Sequence, residues 1–170
     1  MSKQYDLLLI TGIPGTGKTT YGNKFAREFG FLHRDLEDRE TLDHLVADPR
    51  QFIRELLSEN RNVVVTWGFG PDDQASLDLV QLFREAGFKW IWFDGNRPAA
   101  LREFQRRGTV PERDLYVQMF RIENSRIVER LKPTVINSFD ECGQFKPANE
   151  LLKEIRNTDG VSKVARTRRV

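Results

Sequence analysis

The apolar positions of this chain fall into short, nearly continuous runs separated by longer stretches of helical period. Leu7-Leu8-Leu9-Ile10-Thr11, Asn62-Val63-Val64-Val65-Thr66-Trp67 and Phe88-Lys89-Trp90-Ile91-Trp92-Phe93 are β-branched, leucine-rich or aromatic. Runs of that composition suit strands covered on both faces. Between them the period lengthens. Residues 18–29 predict a helix stopped by Gly30, and Pro71 and Asp72 open a helix over 72–86 with Ala75, Leu79, Leu82, Phe83 and Ala86 on one face and Gly87 at its end. The pattern predicts strands at 5–11, 31–35, 62–67, 88–94 and 134–137. It also predicts helical segments within 37–60, a helix capped by Asn96 and stopped by Gly108, a helical stretch to about Leu131, and a last helix at 147–156. Such alternation defines an α/β fold, a five-stranded parallel sheet flanked by helices, with strands 62–67 and 88–94 in its interior.

The first apolar run ends at Gly12-Ile13-Pro14-Gly15-Thr16-Gly17-Lys18-Thr19-Thr20, which contains the phosphate-binding loop pattern in its required context of strand, loop and helix. A Cβ at Gly12, Gly15 or Gly17 would obstruct the close wrapping of backbone N–H groups around phosphate oxygens. Lys18 reaches the terminal phosphates, Thr19 offers a hydroxyl to magnesium, and the helix N-terminus faces the anion. These residues, through Thr20, predict a site for ATP and Mg2+.

Composition narrows the class without changing it. The 170 residues fit a single domain, with 39% hydrophobic and 31% charged residues and a net charge of +2. No apolar stretch approaches the ~20 residues of a membrane span, and the chain enters its first strand without signal-peptide regions, so a cytoplasmic location is expected. The lone Cys142 supplies neither a disulfide framework nor a metal cluster. A basic tail gathers Lys163, Arg166, Arg168 and Arg169, as a solvated terminus or a contact for an anionic partner.

With the loop, the alternation and a charged insertion late in the chain, the sequence resembles the P-loop small-molecule kinases of the shikimate, gluconate and nucleoside monophosphate kinase group. The resemblance implies an acceptor site after the second and third strands and an arginine-bearing lid, placed at about 106–118. Phe31-Leu32-His33-Arg34-Asp35-Leu36-Glu37-Asp38-Arg39 also looks like the corresponding segment of polynucleotide 5′-kinases and chloramphenicol phosphotransferase. There an Asp after strand two acts on the acceptor hydroxyl, which implies that role for Asp35. A strand C-terminus beside the phosphate loop opens into the ligand crevice, so a carboxylate there can take the acceptor proton or orient magnesium waters. Asp35 also reads as a cap for the helix beginning near Glu37, and both readings can hold. Arg34 and Arg39 read as anion ligands or as solvated charges.

The third strand ends Trp67-Gly68-Phe69-Gly70-Pro71, whereas nucleoside monophosphate kinases often carry Asp-Gly-Phe-Pro there. The departure shifts the metal's acidic partner toward Asp35, as in shikimate-type enzymes, and the glycines suggest a close approach to the acceptor. Trp67 and Phe69 read as an aromatic wall or as core. Ile91-Trp92-Phe93-Asp94 has the form of a metal-acid strand, but Asp94-Gly95-Asn96 also reads as a turn. From Arg102 to Arg130 the chain has seven arginines and no lysine, a preference that suits bidentate phosphate contacts. Arg106, Arg107 and Arg113 are the expected catalytic members, with ion pairs on helix surfaces as the alternative for most. Asn137 is the candidate contact to the nucleotide base, or a strand-end turn residue.

The sequence therefore predicts an ATP- and Mg2+-dependent phosphotransferase acting on a hydroxyl of a small molecule. Lys18, Asp35 and the lid arginines carry the chemistry. Two alternatives stand beside it: a polynucleotide 5′-hydroxyl kinase, and a nucleotide-dependent binding or regulatory module with weak ATPase activity.

Overall fold

The computed structural model describes residues 5–68 and 70–166, with side chains to residue 158. Among these, five strands, β1 (Leu7–Gly12), β2 (Leu32–Asp35), β3 (Val63–Thr66), β4 (Lys89–Phe93) and β5 (Thr134–Ile136), form one sheet in the order β2-β3-β1-β4-β5. Every adjacent pair is parallel. The helices are α1 (Lys18–Phe29), α2 (Arg39–Ala47), α3 (Pro49–Ser58), α4 (Gln74–Glu85), α5 (Arg97–Arg107), α6 (Glu112–Ser125), α7 (Ile127–Leu131) and α8 (Ala148–Arg166).

Side chains alternate across a strand, and each face of this sheet has its own core. Leu8, Ile10, Val64, Ile91 and Phe93 pack with Tyr21 and Phe25 of α1 and with Leu151, Leu152 and Ile155 of α8. Leu9, Val63, Val65, Trp90 and Trp92 pack on the other face against Leu45, Phe52, Ile53, Val80 and Phe83 from α2, α3 and α4. Burial on both faces explains the lack of a polar alternation in β1, β3 and β4; all three are interior, as expected of β3 and β4. The chain leaves β1 to one side for β3 and β2 and to the other for β4 and β5, so the strand order reverses beside β1. In open α/β sheets the ligand crevice lies outside the carboxyl ends of the strands at such a point.

Several boundaries differ from expectation for identifiable reasons. The helix predicted from Asp72 begins two residues later, because Asp73 is its cap and accepts hydrogen bonds from Ala75 and Ser76 N–H. The stretch expected to run unbroken to Leu131 divides at Arg126, which adopts a left-handed conformation with φ of 51°. The segment 108–114 is less irregular than its composition suggests: Gly108, with φ of 61°, stops α5, and α6 starts at Glu112. The last helix extends to Arg166 rather than 156. Phe69 and the tail residues Arg168 and Arg169 lie outside the described residues, as do the side chains of Lys163 and Arg166. Cys142 is free and exposed. Among the described residues no helix is long and apolar enough to cross a membrane.

Candidate active site

The loop between β1 and α1 is held by its own backbone. Gly12 has φ of 133°, and a Cβ there would lie 2.2 Å from the Phe93 carbonyl oxygen. Gly15 has φ of 79°, and its Cβ would lie 2.0 Å from the carbonyl oxygen of Ala100. The loop thus passes so close to β4 and α5 that only glycine fits. Ile13 N–H donates to the Phe93 carbonyl at 3.0 Å, and the buried Thr16 hydroxyl donates to the Ile13 carbonyl at 2.8 Å. From the far side, the Ser138 hydroxyl donates to the Thr16 carbonyl at 2.8 Å. Helix α1 opens on Gly17 without a side-chain cap and without an acidic residue in its first turn. Its first N–H groups and the positive end of its dipole are left for an anion.

Lys18 is buried within this loop, its Nζ donating to the carbonyls of Ile13 at 3.1 Å and Gly12 at 3.4 Å. Burial pulls its pKa down from 10.5 to about 8, against the opposing pull of Glu37 and Asp35 and with the help of nearby Arg107. Among the described residues no carboxylate contacts this cation, a condition that an incoming phosphate would relieve.

The Thr19 hydroxyl donates to Asp35 Oδ2 at 2.8 Å, joining the start of α1 to the end of β2. The other oxygen of Asp35 accepts the Glu37 N–H at 3.0 Å. Asp35 therefore shapes the turn after β2 but does not cap the next helix. That cap is Asp38, which accepts from Thr41 N–H at 3.0 Å. His33 braces the same junction. Its Nδ1 lies 3.0 Å from Asn23 Oδ1 on α1, and its Nε2 lies 2.9 Å from the Thr66 hydroxyl on β3. A Cβ on Gly22 would fall 2.3 Å from that ring, which accounts for a glycine inside a helix. Burial holds the His33 pKa below the usual histidine value.

A crevice of about 150 Å³ opens between the phosphate loop and a second wall. Gly15, Lys18 and Thr19 line the first side; Glu37, Gly68, Arg107, Asp114 and Gln118 face them. Sequence reasoning reads Gly68 as a close approach to the acceptor and places Asp114 and Gln118 only within the expected lid, and it gives Glu37 no role. Glu37 Oε1 occupies the space beside Gly68, 2.3 Å from where a Cβ would stand, so a carboxylate from the turn after β2 fills the end of β3 where the acidic residue is missing. The two-residue spacing of Asp35 and Glu37, with the strand ending between them, was the signal that could have found it. Trp67, considered as a wall, is buried in the core.

Of the expected arginines, Arg107 reaches the crevice. Arg106 pairs with Glu103 at 3.0 Å on the surface of α5, and Arg113 is exposed on α6. Neither lines the crevice. Arg121 Nε donates to both carboxylate oxygens of Asp72, at 2.9 and 3.1 Å, and its Nη2 lies 2.6 Å from Oδ1, tying α6 to the loop after β3. Arg126 pairs with Glu129. Arg34 donates to the His33 carbonyl and Arg39 lies 3.8 Å from Asp43, both exposed. Asp94 bonds to Gly95 N–H and Arg97, which makes it a turn and anchor residue. Asn137 is exposed, and its side chain accepts the Phe139 N–H at 3.0 Å, as a strand-end turn residue does. Thr20 is exposed in the first turn of α1.

No family model and no curated protein matches the sequence. Solved structures match along almost the whole chain. A shikimate kinase from Acinetobacter baumannii shares 16% identity, with 94% of this chain and 96% of that one covered and a TM-score of 0.60. A shikimate kinase from Aquifex aeolicus shares 15%, covering 92% and 98%, with a TM-score of 0.56. A gluconokinase from Sinorhizobium meliloti 1021 shares 15%, covering 97% of each chain, with a TM-score of 0.52. The chain has the P-loop kinase architecture of these proteins, and its five-stranded parallel sheet is the one they share.

Proposed function

We propose that the protein is a phosphotransferase that uses ATP and Mg2+ to phosphorylate a hydroxyl group of a small molecule. The observation that carries this reading is the pairing of a complete phosphate cradle with a facing wall that holds a carboxylate and a guanidinium. The fold shared with small-molecule kinases supports it. Cradle amides and Lys18 bind the phosphate oxygens, and the burial that lowers the Lys18 pKa strengthens its attraction for them.

Thr19 and Asp35 offer neutral and anionic oxygen donors side by side, a set suited to a hard divalent cation. Among the described residues no group of three or more His, Cys, Asp or Glu converges as a closed metal cage. Magnesium in phosphoryl transfer rarely uses such a cage, since one or two protein oxygens and the nucleotide phosphates hold it. Thr19 and Asp35 would hold the ion, which would supply positive charge against the phosphates beside the cradle.

Both oxygens of Asp35 are already engaged, by Thr19 and by the Glu37 N–H, so we assign Asp35 to the metal side. Glu37 faces the crevice and is assigned to the acceptor hydroxyl, which it orients and whose proton it accepts. Arg107, at the C-terminal end of α5, is assigned to the transferring group, where a guanidinium stabilises developing charge. The connection from α5 to α6 forms the lid, with Asp114 and Gln118 on its inner side. The Arg121–Asp72 pair ties α6, whose Asp114 and Gln118 line the crevice, to the loop after β3, and a crevice of about 150 Å³ suits a small acceptor better than a polynucleotide.

The test is incubation of the purified protein with γ-labelled ATP, Mg2+, pooled metabolites and 5′-hydroxyl oligonucleotides, with label followed by mass. Label on a single small-molecule hydroxyl is the expected result. Label on oligonucleotide ends would place the acceptor among nucleic acids. Hydrolysis alone, across a broad acceptor pool, would contradict the reading and favour a nucleotide-dependent regulatory module.

A further inference from the structure

Helix α6 has three faces with different environments. Leu115 and Ile122 point into the core, and Asp114, Gln118 and Arg121 face the crevice and the loop after β3. At 3.6 residues per turn, the remaining face carries Arg113, Tyr116, Val117, Phe120 and Glu123. Phe120 is 71% exposed, Tyr116 56% and Val117 48%. Such a row of large apolar side chains on one helix is not the scattered exposure of an ordinary surface. Phe120 points away from the crevice, so closing the lid over an acceptor would not cover it.

Beside this row, between α5 and α6, lies an apolar cavity of about 390 Å³ whose walls include Pro14, Leu101, Leu115, Tyr116 and Met119. A protruding aromatic residue and an apolar hollow therefore adjoin on the same surface. That is the arrangement a two-fold interface requires, because the same patch must supply both knob and hole. The charges follow the same symmetry. Two α6 helices packed antiparallel about a point near Gln118 would bring Phe120 of each against Tyr116 of the other. Arg113 of each would meet Glu123 of the other. Arg113 has no ion pair among the described residues, and Glu123 meets only Arg97 there.

We propose that α6 is a self-association surface, through which two copies of this chain pair antiparallel, with Phe120 seated at the mouth of the partner's α5–α6 hollow. The α6 contact extends about 20 Å, which sets the interface at the small end of specific ones. Association is then concentration-dependent. Pairing would also hold the helix whose inner side lines the crevice, linking assembly to the position of the lid.

Sedimentation velocity up to about 200 µM tests this, with circular dichroism melting to verify that each variant folds. The wild-type chain is expected to pass from monomer to dimer. Phe120→Asp should weaken the dimer by at least about ten-fold. Arg113→Glu and Glu123→Arg each place like charges together at both ends and should weaken it alone, whereas an equimolar mixture of the two should dimerise again through two restored pairs. A monomeric wild-type protein throughout that range would overturn the proposal. So would a dimer indifferent to Phe120→Asp, or a charge-swapped mixture that fails to recover.

Discussion

The two walls of the crevice are built by different means. On the phosphate side the site is mostly backbone: Gly12 and Gly15 allow the loop to lie against the carbonyls of Phe93 and Ala100, and one buried side chain, Lys18, completes it. On the wall proposed for the acceptor it is side chains, drawn from the turn after β2, the end of β3, the end of α5 and the inner face of α6. A backbone site is tightly constrained and intolerant of substitution. A side-chain site spread over four elements can change its ligand without changing the fold, which is consistent with the fold being shared at 15–16% identity.

Substituting glycine on each wall should break the comparison most sharply. Gly12→Ala meets backbone atoms of a central strand at positive φ, and a loss of at least about 3 kcal/mol is expected in urea unfolding. Gly68→Ala meets the movable end of the Glu37 side chain, so its stability should stay within about 1 kcal/mol of wild type while label transfer falls. Equal stability losses would show that the walls do not differ as described.

Lys18→Met tests the electrostatics of the first wall. The Lys18 pKa drops from 10.5 unfolded to about 8 folded, so the unfolded chain binds more protons between those values and stability rises with pH across that window. Below pH 8 the buried cation exerts its full cost. The variant should be roughly 2–3 kcal/mol more stable than wild type at pH 7 and inactive in transfer. That advantage should shrink as the pH is raised from about 8 towards 10.5. A variant less stable than wild type at pH 7 would mean that Lys18 is not held as an uncompensated charge.

Asp72→Asn probes the tie between α6 and the loop after β3. The pair is about half exposed, at 44% and 49% for its side chains, so solvent screens it and stability in urea unfolding should hardly change. The tie also positions α6, whose Asp114 and Gln118 line the crevice, so KM for the acceptor should rise more than kcat changes. An unchanged KM would remove it from the acceptor wall.

This division also explains what could be read from the chain itself. A backbone cradle leaves a contiguous signature, and residues 12–19 announced it together with the strand and helix on either side. The apolar runs of β1, β3 and β4 likewise revealed the two-sided sheet, because burial on both faces removes polar alternation. Helix limits were less readable where a side-chain cap competes with its neighbours, as Asp73 does with Asp72, or where a non-glycine residue such as Arg126 turns left-handed. The acceptor wall was hardest. Nothing local marks Arg107 apart from Arg106, since which of them reaches the crevice depends on where α5 stops. Glu37 shows its place only once the turn after β2 is folded over Gly68.

The most direct test of the account is to measure nucleotide binding and label transfer side by side in Glu37→Gln and Asp35→Asn. Titration calorimetry with ATP in the absence of Mg2+ should give near wild-type affinity for both, because the cradle is untouched. With Mg2+, transfer should fall by at least about 100-fold in each, and Mg2+ should strengthen ATP binding less in Asp35→Asn than in Glu37→Gln. Transfer at the wild-type rate in Glu37→Gln, or loss of metal-free ATP binding in either variant, would contradict the separation of a phosphate wall from an acceptor wall.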